Sequence, residues 1–136
     1  MNTNANSILI VNGETSADMR DLLKVETEDA RAADAVALFC YQVKKCIGVY
    51  AAALGGLDTL VFAGGIGEKA PVVRARICKG LGFLGIELDA ARNEQSADVI
   101  STDGRRVKVH VIRTHEELVI ARSVCNVLGF NDTPSQ

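Results

Sequence analysis

Three short stretches carry residues whose types and spacing could do chemistry. In LVFAGGIGEKAP, Leu60 to Pro71, an apolar run stops at Gly64 and Gly65, Gly67 follows Ile66, and then come Glu68, Lys69 and a proline. A strand that ends in glycines and turns into a helix brings bare backbone N–H groups to the helix N-terminus, which is a phosphate site by geometry and dipole. Gly64, Gly65 and Gly67 would allow close backbone approach and positive φ. The same glycines could equally serve a tight connection that holds no ligand. Gly65, Gly67 and Ala70 also fit G-x-G-x-x-A, with Glu87 where a dinucleotide fingerprint needs its acid, but so short a match is weak. In RTHEELVIAR, Thr114 to Glu117 reads as a T-x-x-E capping box, with Glu117 reaching back to the Thr114 N–H. That leaves Glu116, beside His115, as a solvated first-turn acid or as one that faces a cation. In SADMRDLL, Asp18 falls in the first turn of a helix capped by Thr15 or Ser16.

These residues need elements to position them. SILIV, from Ser7, reads as a short strand after a frayed polar start. DARAADAVALFCYQVKKCIGVYAAAL, Asp29 to Leu54, contains no proline and stops at Gly55-Gly56, so it reads as one long helix. It is apolar around much of its circumference and is expected to be buried on several sides. A single domain of 136 residues can hardly cover it, which implies a second domain or a second subunit. DTLVFA, Asp58 to Ala63, reads as a buried strand, and Pro71 as the first residue of a following helix. ADVIS and VKVHVIR look like two strands joined at Thr102–Arg105, and a last helix closes at Gly129. This order predicts a layered α/β fold.

Composition narrows the function. The formal charge of −2 gives no reason to expect nucleic-acid or anionic-membrane binding. Cys40, Cys46, Cys78 and Cys125 form no C-x-x-C pair, and His110 and His115 complete no zinc pattern. The cysteines are expected to be buried reduced thiols, which favours the cytoplasm. No signal peptide or uninterrupted transmembrane run is expected.

Five blocks together carry a family likeness: SADMRDLL, GGLDTLVFAGGIGE, VRARICKGLGFLGIELD, ISTD and VIRTHEELVIAR. In this order the chain resembles the C-terminal domain of acetate kinases, members of the acetate and sugar kinase/Hsp70/actin superfamily with a ribonuclease H-like α/β fold. The resemblance implies an uncertain segment over residues 1–15, a nucleotide-binding and dimerisation domain over 16–129, and a tail over 130–136. It implies that Asp18, Met19 and Arg20, matching D-[FM]-R, line an adenosine pocket. Gly64, Gly65, Ile66, Gly67 and Glu68, matching G-G-I-G-E, would contact ATP or ADP, and Glu116 would be the Mg²⁺-associated acid. The family transfers a phosphoryl group reversibly from ATP to acetate, as a homodimer.

The chain also departs from the family. Lys69 replaces a common asparagine, Arg113 stands where proline is frequent, and SILIVNGET lacks the usual glycine-rich character. The family's N-x-G-S-S-S-x-K segment and acetate pocket do not occur in this sequence, so the chain is expected to be inactive or nearly so alone, either completed by a separate N-terminal domain or simply truncated. The alternative is a stand-alone nucleotide-binding or dimerisation module. Arg20, Arg74, Arg76, Arg105 and Arg106 are each read as surface charges or ion pairs.

Overall fold

A computed structural model describes residues 7–12 and 16–112. The final helix, its capping box and Glu116 therefore lie outside the described residues, as does Thr15.

The strand expected at SILIV is β1, Ile8–Asn12, a Leu and β-branched run of the kind buried in parallel sheets. It leads to α1, Ser16–Val25, and then to α2, Ala30–Leu54. Asp29 caps α2 in extended geometry, its carboxylate accepting from the N–H groups of Arg31 (2.9 Å) and Ala32 (3.4 Å). At the other end Gly55 takes φ +80° and stops the helix. Next come β2, Thr59–Ala63, then α3, Gly64–Lys69, and α4, Pro71–Cys78. A 3₁₀ turn at Gly82–Leu84, α5 at Ala90–Glu94 and β3 at Lys108–Ile112 complete the described chain.

The strands form one parallel sheet in the order β1-β2-β3, with Ile8 opposite Thr59 and Thr59 opposite Lys108. In the central strand Leu60, Val61, Phe62 and Ala63 are all buried, whereas in β3 burial alternates through Val109 and Val111. Leu60, Phe62, Val109 and Val111 share a core with Val36 and Ile47 of α2 and Val73 and Ile77 of α4.

Two expectations need correction here. The stretch at ADVIS makes only isolated antiparallel bridges, Val99 to His110 and Leu88 to Ser101. The carbonyl of Ile100 accepts from Asp89 N–H (2.8 Å), and Ser101 Oγ accepts from Val109 N–H (3.1 Å), so a regular ladder is not completed. The long helix is buried along one stripe, Ala32, Val36, Cys40, Ile47 and Ala51, rather than on several sides. Leu38, Tyr41 and Val49 stand out from the opposite stripe. By length and composition alone α2 could also cross a membrane, although it packs against α1, α4 and β1.

Candidate functional site

Because β1 and β2 run parallel and in register, they end together at Asn12 and Ala63. The chain leaves the first into α1 and the second into α3, and α1 packs against α3. The D-M-R and G-G-I-G-E segments, distant in sequence, are thereby neighbours at the C-terminal edge of the sheet. Ligands of open α/β sheets bind at this edge.

Within α1, Met19 is buried in the core and Arg20 is exposed; Asp18 is helical in its backbone. Met19 thus has a packing role whether or not it meets a ligand.

The glycine segment is itself a short helix rather than an open turn. Gly64 has φ +76° and turns the chain off β2, while Gly65 and Gly67 do not have positive φ. Gly67 is required for another reason. A Cβ there would stand 3.2 Å from the carbonyl carbon of Phe62 and 3.3 Å from the carbonyl oxygen of Val11, so α3 lies directly on the backbone of β2 and β1. The helix breaks at Ala70, as expected for a residue before proline, and α4 restarts with Pro71. Glu68 is buried, and its Oε2 is one of two buried side-chain polar atoms without a hydrogen-bond partner among the described residues. A buried acceptor left open in this way needs a reason, and in a ligand site the ligand can supply it.

Arg74 departs most from the sequence reading. It is fully buried. Its Nη1 donates to the carbonyls of Gly67 and Glu68 (both 2.9 Å), Nε to Asn93 Oδ1 (2.8 Å), and Nη2 to Asn93 O and Ser96 Oγ (both 2.8 Å). Sequence held a signal for this, since Arg74 falls on the helical stripe of Ala70, Val73, Ile77, Cys78 and Leu81, all buried. The other arginines fit the expectation. Arg76 grips Glu26 through both carboxylate oxygens (2.9 and 2.8 Å), and this hydrogen bonding holds the Glu26 carboxyl below its ordinary range. Arg105 pairs with Glu87 at 3.2 Å, which gives that acid a partner other than a ribose. Arg20 and Arg106 are exposed.

A cleft of about 850 Å³ lies between α4 and α5; Glu87 lines it, but none of the residues that the family likeness assigns to the nucleotide does. Glu116 and His115 lie outside the described residues, and among the described ones no three His, Cys, Asp or Glu side chains cluster to hold a metal. Mg²⁺ held by one carboxylate and nucleotide phosphates would not need such a cluster. Cys40 and Cys78 are buried, but Cys46 is exposed because it falls on the outer stripe of α2, which corrects the expectation of buried thiols.

The model of the acetokinase family matches residues 2–122. The chain belongs to the acetokinase family. An acetate kinase of Rhizobium meliloti is 54% identical over 107 residues, covering 79% of this chain and 27% of the relative. A propionate kinase of Citrobacter rodentium is 45% identical over 132 residues, covering 96% of this chain and 32% of the relative. The crystal structure of Porphyromonas gingivalis acetate kinase superimposes with a TM-score of 0.69 at 37% identity, covering 82% of this chain and 29% of that one. This acetokinase chain therefore spans about 27–32% of the length of these relatives.

Proposed function

We propose that this chain is the C-terminal, nucleotide-binding part of an acetate kinase. Such an enzyme moves the γ-phosphoryl group of ATP to acetate, giving acetyl phosphate and ADP, and runs in both directions. The observation that carries the reading is the juxtaposition of α1 and α3 at the C-terminal edge of the parallel sheet. It packs α1, which carries Asp18, Met19 and Arg20, against α3, which carries Gly64, Gly65, Ile66, Gly67 and Glu68, and this supports the family likeness that assigns these residues to the nucleotide. Glu116 follows β3, the third strand of the same parallel sheet, and is the residue to hold Mg²⁺. Phosphoryl transfer relies on positioning and charge stabilisation. The described residues offer backbone and side chains for the nucleotide, but no assigned pocket for acetate. The chain is therefore inactive alone, needs the rest of the kinase in the same or another chain, and works in the cytoplasm as a homodimer.

ADP titration of the whole chain tests the reading. Wild type should bind weakly, with a Kd of about 1 mM, or roughly −4 kcal/mol. Gly65→Val should lose that binding while remaining folded. Equal binding by both proteins would remove the glycine helix from the site. Supplying the N-terminal part of an acetate kinase should give acetyl phosphate formation from ATP, Mg²⁺ and acetate, and Glu116→Gln should impair it. Turnover by the isolated chain would refute the proposed division of labour.

A further inference from the structure

A buried guanidinium is costly unless its hydrogen bonds are met and its charge is answered. Arg74 meets the hydrogen-bond demand at a specific place, the C-terminal end of the glycine helix, where backbone carbonyls carry partial negative charge. In an α-helix the carbonyl of Gly67 would accept from the N–H four residues on, but that residue is Pro71, which has none. The sequence thus strips α3 of its ordinary continuation, and Arg74 Nη1 occupies both Gly67 O and Glu68 O instead. The far side of the guanidinium is held by Asn93 and Ser96 at the end of α5. Asn93 is itself fixed, its Nδ2 donating to Pro71 O at 2.9 Å. Ser96 has φ +50°, the one positive φ at a non-glycine residue among those described. Such a conformation persists where the surroundings over-determine it, and here it places Oγ against Arg74.

We infer that Arg74, held by Asn93 and Ser96, is a positioning residue that fixes the glycine helix on the sheet, so that its loss loosens α3 while the rest of the core stays in place. This rests on the reading above only for its consequence, which is weaker ADP binding through Gly64–Glu68.

The test is residue-resolved amide hydrogen exchange on the whole chain, with and without ADP. Ser96→Gly suits the positive φ but removes the hydroxyl acceptor, which separates backbone strain from the hydrogen bond. It should speed exchange at Glu68 and Lys69 by roughly tenfold, while Val61 and Ile47 change by less than about twofold. Arg74→Lys, which keeps the charge but not the fork of donors, should have a larger effect confined to the same amides. Should Arg74→Lys fail to fold, Ser96→Gly decides the matter alone. Unchanged exchange in α3, or acceleration by the same factor at all four amides, would overturn the inference, since the latter is global destabilisation. If the exchange pattern is as expected and wild type still binds no ADP, the nucleotide reading fails and the positioning role stands.

Discussion

At the scale of single residues, glycine and arginine carry opposite lessons. The glycines were legible as a place where side chains must be absent, but the reason differs along the segment. Gly64 makes the turn, and Gly67 admits the strand backbones. Gly67→Ala would push a methyl group against Phe62 and Val11, neither of which can yield cheaply because the atoms met are main chain. Overpacking of this kind costs about 1–3 kcal/mol, so the melting temperature should fall even without a nucleotide; an unchanged value would refute the close packing of α3 on the sheet. Arg74 was misread because a lone arginine in a helix is usually solvated, and only its place on the buried stripe of α4 shows otherwise. Thiol chemistry supplies a second residue-scale prediction. Burial pushes the Cys78 thiol up to about 12, whereas Cys46 is open to solvent. Thiolates are the reactive form, so mass-mapped alkylation at pH 8 should modify Cys46 well before Cys78, and Cys78 should react only on unfolding. Early labelling of Cys78 would contradict its placement.

At the scale of elements, what could be read was what local chemistry decides. Apolar runs of the right length gave β1 and β2, and proline-free alanine-rich sequence between Asp29 and Gly55 gave α2 with both of its ends. What escaped depends on contacts remote in sequence. The helical state of Gly64–Lys69 is imposed by the sheet beneath it, since glycine is a poor helix former. The irregular path at ADVIS follows from Ser101 and Asp89 diverting ladder hydrogen bonds, which no period reveals. The cap of α2 is testable by itself. Asp29→Ala removes the acceptor for the N–H groups of Arg31 and Ala32 and should cost about 1 kcal/mol, seen as a melting temperature lower by a few degrees; no change would mean that water replaces the cap fully. The outer stripe of α2 is testable too. Leu38, Tyr41 and Val49 are exposed along one face, Leu38 and Tyr41 as i, i+3 neighbours and Val49 about two turns beyond Tyr41. On the proposed homodimer this face is covered, so Leu38→Lys with Val49→Lys should turn a sedimenting dimer into a monomer that keeps its helical signal. A wild-type monomer at micromolar concentration would remove the dimer.

At the scale of the whole molecule, folding couples to protons through groups spread over the described chain. His110 sits half-buried on β3, and its imidazole is held below the ordinary 6.5, chiefly by burial and then by the charge of Lys108. Glu26 and Asp103 are held below their ordinary values by hydrogen bonds from Arg76 and Arg92 respectively. All three shifts have the same sign in linkage terms. In each case the unfolded chain takes up a proton at a higher pH than the folded one, and stability therefore falls as pH falls. The imidazole acts first. Between the ordinary histidine value and the lower folded one, the unfolded state is protonated and the folded state is not, so stability declines there and then levels off. The two carboxylates act lower, where stability present above their ordinary range is lost as pH drops through their depressed folded values. Denaturant midpoints measured from pH 8 to pH 3 should accordingly decline in two stages. His110→Gln should flatten the upper stage and leave the lower one, whereas Glu26→Gln should reduce the lower stage and leave the upper one. A profile flat between pH 7 and pH 5 in the wild type would mean that His110 is solvated in the folded chain and that the antiparallel bridge it makes to Val99 does not shield it.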